Sequence, residues 1–336
     1  MARSEAPEMT VVLATIPGYE SIRKTIRHLK NQTVSDRLEI IIISPSMEKS
    51  AAMESDLEDF HNTIFIEADI DNELYEALEE AVHRAGAPVI AFGENHAFPV
   101  PGWAEALIEA HKGPWAGVGS VITNANPGTL NSWAQMYMTY GRWTEPVEAG
   151  EAEDIPGHNS SYKRSILLEY GEQLKYMLIR TNTMNMDLRS RGHRLYMEPG
   201  ARVLHINVSR SPSILADLFY NGAIYTAALA FNKKWSLPRR VFNACLEPLI
   251  MLKYFRGTLH HIRRSGNWSK LMPDALPIIV SGLTAHFFGK LLGYFTGFRK
   301  TQIRINSYEF DRFKYITAQD IDYLSDSGKS SKGQES

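Results

Sequence analysis

The strongest constraint on this chain is an alternation that begins at its ninth residue and repeats. Met9–Thr15 (MTVVLAT), Leu38–Ser44 (LEIIIIS), Thr63–Ala68 (TIFIEA) and Ala87–Phe92 (APVIAF) are short, branched apolar runs that read as buried strands. Between them, GYESIRKTIRHLKNQ sets Ile22, Ile26 and Leu29 at helical spacing, and DNELYEALEEAVHRAG supplies a second helix. Strand, helix, strand, helix, strand implies an α/β fold with a doubly wound, mostly parallel sheet. A helix from PGWAEALIEAHKG and a further strand, Trp115–Thr123, extend it.

In such sheets ligands collect outside the carboxyl ends of the strands. The residues ending the first, second and fourth strands are therefore candidates: Ala14, Thr15, Ile16 and Pro17, then Ser44, then Glu94, Asn95 and His96 in the stretch GENH. The last three combine a carboxylate, an amide and an imidazole, all able to ligate a cation. A polar surface turn is the competing reading of the same residues.

Beyond Thr123 the pattern loosens. EAGEAEDIPGHNSSYKR (Glu148–Arg164) is an acidic loop entering a short strand, and Arg164–Arg191 reads as helical. HRLYMEPGARVLHINVS reads as two short strands broken at Pro199–Gly200. Ser211 and Pro212 mark the start of another helix.

From Trp235 to Arg299 apolar helical segments are flanked by Lys and Arg. Between Lys233 and Arg304, 13 Lys and Arg face two acids, Glu247 and Asp274, a net of +11, while the whole chain carries −2. A basic, apolar segment on an acidic body points to an anionic membrane surface as partner. The longest uncharged run, Ala275–Gly289, has 15 residues. That is short of the ~20 needed to span a bilayer, so an in-plane interfacial helix is expected. A buried amphipathic helix is the alternative. No nucleic-acid recognition motif, Gly-rich phosphate loop or zinc spacing is present in the sequence. The lone Cys245 and an N-terminus without signal-peptide order place the protein on the cytoplasmic side, peripheral to the inner membrane face. The expected division is residues 1–234 as catalytic domain, 235–300 as membrane-interface region and 301–336 as a polar tail, whose last stretch DYLSDSGKSSKGQES (322–336) is expected to be disordered.

Five segments in this order resemble the family 2 glycosyltransferases, nucleotide-sugar enzymes of the GT-A fold. VVLATIPGYESIRKTIRHLKNQ is similar to that family's opening strand and helix, and LEIIIIS to its second strand. PVIAFGENHAFPVPGWAEAL resembles its acidic metal segment, GHNSSYKRSIL its acceptor-side loop, and RSRGHRLYMEPGARVLHIN its late turn, Pro and His. The resemblance implies an inverting hexosyltransferase. Its donor would be a nucleoside-diphosphate sugar and its acceptor lipid-linked, a polysaccharide or a small molecule, in cell-envelope polysaccharide biosynthesis. It implies donor contacts at Ala14 to Pro17, Ser44, Glu94 and Asn95, and acceptor contacts at His158 and Asn159. It further implies a divalent cation, Mg²⁺ or Mn²⁺, at Glu94, His96 and His205.

The sequence departs from the family at charged positions. One acidic residue, Glu94, stands where two aspartates are usual, and Ser44 stands where the second strand usually ends in Asp. Arg180, Thr181 and Asn182 occupy the place expected of the carboxylate base. Glu169, Glu172 and Asp187 are the nearby carboxylates, with an ordinary helix-surface role as the alternative for Asp187. These replacements motivate a second expectation, a catalytically inactive relative that binds a nucleotide sugar, a glycan or a partner enzyme. Trp103, Trp133, Tyr137 and Tyr140 read as core, and His158, Asn159 and His205 each read equally as satisfied structural groups.

Overall fold

The structure, a computed structural model, describes residues 6–15, 18–46, 51–321 and 324. Its elements in chain order are β1 (Met9–Ala14), α1 (Arg23–Lys30), β2 (Leu38–Ser44), α2 (Ala51–Leu57), β3 (Asn62–Glu67), α3 (Leu74–Arg84) and β4 (Val89–Phe92). There follow β5 (Ala97–Pro99), α4 (Trp103–Ala110), β6 (Trp115–Asn124), α5 (Leu130–Tyr140), β7 (Gly150–Ala152), β8 (Ser161–Lys163), α6 (Arg164–Leu168), α7 (Leu174–Leu178) and α8 (Thr181–Ser190). The chain continues through β9 (Arg194–His205), α9 (Ser211–Asn232), α10 (Leu237–Arg264), α11 (Trp268–Leu271), α12 (Leu276–Gly293) and α13 (Phe298–Phe310).

The chain divides into two compact units, residues 1–122 with 147–204 and residues 123–146 with 205–336. This division falls within β6 and at the end of β9. β6 and β9 each run a residue or two past it, because both strands are continuous.

The first unit is the expected α/β fold. Its sheet runs β3-β2-β1-β4-β8-β6-β9-β5, with β7 paired to β9. β3, β2, β1 and β4 are parallel. β8 then pairs antiparallel with both β4 and β6. The parallel expectation thus holds for the first four strands. β8 is fed by a loop, and an antiparallel neighbour needs no helical crossover. β2 and β4 are buried throughout, as strands covered on both faces must be. β9 is one strand of 12 residues and is not broken at Pro199–Gly200. The Gly200 amide is taken by the Glu198 carboxylate at 2.8 Å, which carries the strand past a proline that can donate nothing. Trp103 is buried and donates its indole N–H to Ser120 Oγ at 2.9 Å, a packing role as expected.

The second unit is helical. α9 and α12 pack at the shortest approach helices allow: a Cβ on Gly289 would run into the Phe219 carbonyl, and one on Gly293 into that of Ala223. Thr226 Oγ1 then donates to the Lys290 carbonyl at 2.8 Å. Tyr137, Ile214, Leu218, Ile262, Ile279 and Leu283 belong to its core cluster, with Trp133 against it. Lys290, which ends the uncharged run in the sequence, is buried with its ammonium 2.7 Å from the Glu247 carboxylate. Burial pushes the Lys290 pKa down, against the pull of Glu247. Glu247 also accepts from Tyr294 Oη at 2.5 Å, so both charges are compensated.

By length and composition α9 and α12 could each cross a membrane. α9 is mostly buried within its unit, as a core helix would be. Ordered structure continues beyond residue 300: α13 reaches Phe310, and Ile305 and Ile316 are buried. The stretch expected to be disordered, 322–336, lies outside the described residues except for Leu324.

Candidate active site

The order of the parallel strands reverses at β1 and β4: the chain moves outward from β1 to β2 and β3, then returns to β4 on β1's other side. A crevice at the carboxyl ends of β1 and β4 is where such a sheet binds its ligand. Thr15 and GENH both lie there.

GENH leaves β4 through Gly93, whose amide donates to the Val12 carbonyl at 2.9 Å. A Cβ at Gly93 would stand 2.7 Å from the end of the Leu13 side chain, which would have to shift to admit it. Glu94 and His96 are then buried, 7% and 1% exposed. Glu94 Oε1 lies 3.6 Å from His96 Nε2. Its other oxygen, Oε2, accepts from Asn159 Nδ2 at 2.6 Å. Thr25 Oγ1, on α1, donates to the carbonyls of Glu94 and Ala97 at 3.2 Å each, fixing the loop backbone. Asn95 turns its Oδ1 to His96 Nδ1 at 2.9 Å.

Asn159 occupies the left-handed region at φ 59°, a conformation Asn tolerates better than most residues. Its amide donates to the Phe92 carbonyl at 2.7 Å, and its carbonyl accepts from Ser120 Oγ at 2.5 Å. The loop before β8 is thereby tied to the end of β4. His158, its neighbour, is half-buried. At the loop's other end Gly157's carbonyl accepts from Thr181 Oγ1 at 2.5 Å, at the start of α8.

His205, the last residue of β9, is buried, with Nδ1 3.2 Å from Asn207 Oδ1 and its ring centroid 4.6 Å from that of Tyr140. Glu94, His96 and His205 each bring a ligand atom within 4.8 Å of the others, so the trio could hold a metal ion. One carboxylate oxygen and two imidazole nitrogens make a donor set suited to a borderline divalent ion.

The other sequence candidates fall in varied surroundings. Thr15 is buried and donates its hydroxyl to the Gly18 carbonyl at 2.8 Å, while Ala14 ends β1. Ile16 and Pro17 lie outside the described residues. Ser44 ends β2, its hydroxyl turned to the Ser46 carbonyl at 2.8 Å. Glu169 and Glu172 are exposed, Glu169 lying 3.6 Å from His193. Asp187 accepts from Arg191 Nε at 2.7 Å and from Tyr170 Oη at 3.0 Å.

Sequence reasoning passed over Asp154. Its carboxylate accepts from Asn185 Nδ2 at 2.9 Å and Asn182 Nδ2 at 3.4 Å, which sets an acid beside the start of α8. Asn207 and Thr25 were missed as well; a side chain that orients another carries no spacing signal of its own.

The switch point at β1 and β4, with a buried carboxylate and imidazole beside it, puts a candidate site where α/β domains bind their ligands. Residues 10–171 match the family described as Glycosyl transferase family 2. Among solved structures, the chain is similar to GalNAc-T7 with UDP, GalNAc and Mn²⁺, at 15% identity and a TM-score of 0.46, over 60% of this chain and 44% of that one. It is also similar to the mannosyltransferase PcManGT from Pyrobaculum calidifontis in complex with GDP-Man and Mn²⁺, at 13% identity and a TM-score of 0.46, over 91% of this chain and 88% of that one. The chain therefore spans less than half the length of GalNAc-T7. No curated protein sequence matches it.

Proposed function

We propose that this protein transfers a sugar from a nucleoside-diphosphate sugar to an acceptor hydroxyl, using a divalent cation held by Glu94, His96 and His205. The observation that carries this reading is the buried carboxylate–imidazole pair placed directly after β4, with His205 completing the set. A cation there would supply positive charge for the leaving diphosphate. Two imidazoles beside one carboxylate favour Mn²⁺ over Mg²⁺, which prefers an all-oxygen shell. Asn159 occupies one oxygen of Glu94 and leaves the other facing His96. The ends of β1 and β2, at Ala14, Thr15 and Ser44, line the donor side, and His158 faces the acceptor.

We assign the acceptor proton to Asp154, because its carboxylate stands at the first turn of α8, where the family resemblance puts the base and this sequence has Asn182. The acceptor class is a lipid-linked sugar, a polysaccharide or a small molecule, and transfer proceeds with inversion. Incubation with a panel of nucleotide sugars, with Mn²⁺ or with chelator, tests the reading through release of nucleoside diphosphate. Cation-dependent release supports it. Binding without turnover, under every acceptor tried, would instead support the non-catalytic relative.

We further propose that the enzyme works against an anionic membrane surface. Among the described residues, 16 large hydrophobic side chains are exposed, and 12 of them fall between Phe231 and Phe295. On α10, Leu237, Val241 and Leu249 follow one another along one stripe, continued by Leu252; on α12, Leu276, Val280, Phe288 and Leu292 do the same. Exposed Lys233, Lys234, Arg239, Lys253 and Arg256 border them. Apolar stripes edged with basic residues suit the headgroup boundary. Sedimentation with anionic vesicles, reduced in Leu249→Asp and Phe288→Asp, is the expected result. Equal sedimentation of wild type and both variants would contradict it.

A further inference from the structure

The hydrogen bonds behind His205 determine which of its ring nitrogens carries the proton. Asn126 donates its backbone N–H to Asn124 Oδ1 at 3.0 Å. A backbone amide can only donate, so the atom facing it must be the side-chain oxygen of Asn124. Ser132 Oγ reaches the same oxygen at 3.0 Å. Asn207 also meets that oxygen, at 3.0 Å, and must do so with its NH₂ group. Its own Oδ1 is thereby turned toward His205 Nδ1, at 3.2 Å. Asn207 cannot flip: a reversed side-chain amide would set its oxygen against the Asn124 oxygen, and its backbone is held in place by the Asn126 side chain at 2.8 and 2.9 Å. An amide oxygen accepts only, so Nδ1 of His205 must be the protonated nitrogen.

We infer that Asn207, backed by Asn124, is a positioning residue that holds His205 as the Nδ1–H tautomer and so presents the Nε2 lone pair as a metal ligand. His205, Asn207, Asn126 and Ser132 are 2% exposed or less and Asn124 is 8% exposed, so water does not compete for these bonds. Metal-bound histidines generally have their second nitrogen held this way, by a partner that fixes tautomer and ring orientation. His96 shows the same arrangement, with Nδ1 against Asn95 Oδ1 at 2.9 Å and Nε2 on the side of Glu94. The inference rests on the reading of Glu94, His96 and His205 as a cation site, but the tautomer itself does not depend on a bound ion.

Long-range ¹H–¹⁵N correlation spectra of the full-length, metal-free protein at mildly alkaline pH read the tautomer directly, with the His205 signals identified by their loss in His205→Gln. The expected result is a protonated Nδ1 and an unprotonated Nε2 in the wild type, with mixed tautomers in Asn207→Leu. Mn²⁺ titration should then show roughly 10- to 100-fold weaker binding in Asn207→Leu and a similar change in Asn124→Leu. A wild-type His205 protonated at Nε2 would overturn the assignment without reference to any variant. An Asn207→Leu protein that folds and keeps the single Nδ1–H tautomer would overturn it too. Failure of the wild type to bind Mn²⁺ would count against the cation site and leave the tautomer result standing on the spectrum alone.

Discussion

Asn159 donates its side-chain amide to Glu94 Oε2 across 2.6 Å, linking the loop before β8 to the acid that follows β4. The two residues are 65 positions apart and both are buried. This bond sets the carboxylate so that its second oxygen faces His96, and it ties the loop's position to Glu94.

Removing that amide should loosen the carboxylate without unfolding the domain. Asn159→Gly keeps the left-handed backbone, since glycine adopts it freely, and deletes only the side chain. The expected outcome is Mn²⁺ binding weakened by about 10- to 100-fold, as for other outer partners of metal ligands. The accompanying stability loss should be only about 1 kcal/mol. Calorimetric titration beside thermal melting separates the two, and unchanged affinity would remove Asn159 from the site.

The α9–α12 seam makes a packing prediction. Gly289→Val would drive a side chain into the Phe219 carbonyl, which is backbone and cannot swing away. A loss of about 3 kcal/mol or more is expected from urea unfolding of the full chain. Gly257→Ala, on α10, meets nothing nearer than His261 Nε2 at 3.9 Å and should be neutral or stabilising by roughly 0.5–1 kcal/mol. Equal effects of the two would show that the close approach of the helices is not what the glycine permits.

The pH dependence of stability follows from His111, just after α4. Burial, aided by the charge of Lys163, depresses its pKa to about 4, and Nε2 lies 2.9 Å from Ser161 Oγ. The folded protein holds this histidine neutral while the unfolded chain protonates it near 6.5. Its contribution is complete above about pH 6.5 and is lost as the pH falls toward 4, where the unfolded state binds the extra proton. On the order of 3 kcal/mol should disappear across that window. Melting curves of wild type and His111→Gln test this: the variant should show the shallower decline.

The parallel strands, the α/β class and the polar GENH segment after the fourth strand were legible in the sequence because each has a local signature, whereas His205 entered only through the family resemblance. Apolar runs end in polar residues, and a ligand-capable triplet follows a strand. What was not legible depends on pairing. β8 inserts antiparallel between β4 and β6, although nothing in SYK specifies its neighbours. Asp154 lies in a loop whose meaning comes from Asn182 and Asn185, contributed by α8. Lys290 looked like an interruption of an apolar helix until Glu247, 43 residues earlier, was found against it.

The measurement that bears most directly on the central claim is calorimetric titration of Mn²⁺ into the full-length protein and into Glu94→Gln, each with and without a nucleoside diphosphate. Glu94→Gln retains the shape and one oxygen while removing the charge. The wild type should bind one Mn²⁺, more tightly when the nucleotide is present, and the variant should bind at least about 10-fold more weakly. Equal Mn²⁺ affinity in the two proteins, or nucleotide binding indifferent to the cation, would contradict the assignment of Glu94, His96 and His205 as the cation site of a glycosyltransferase.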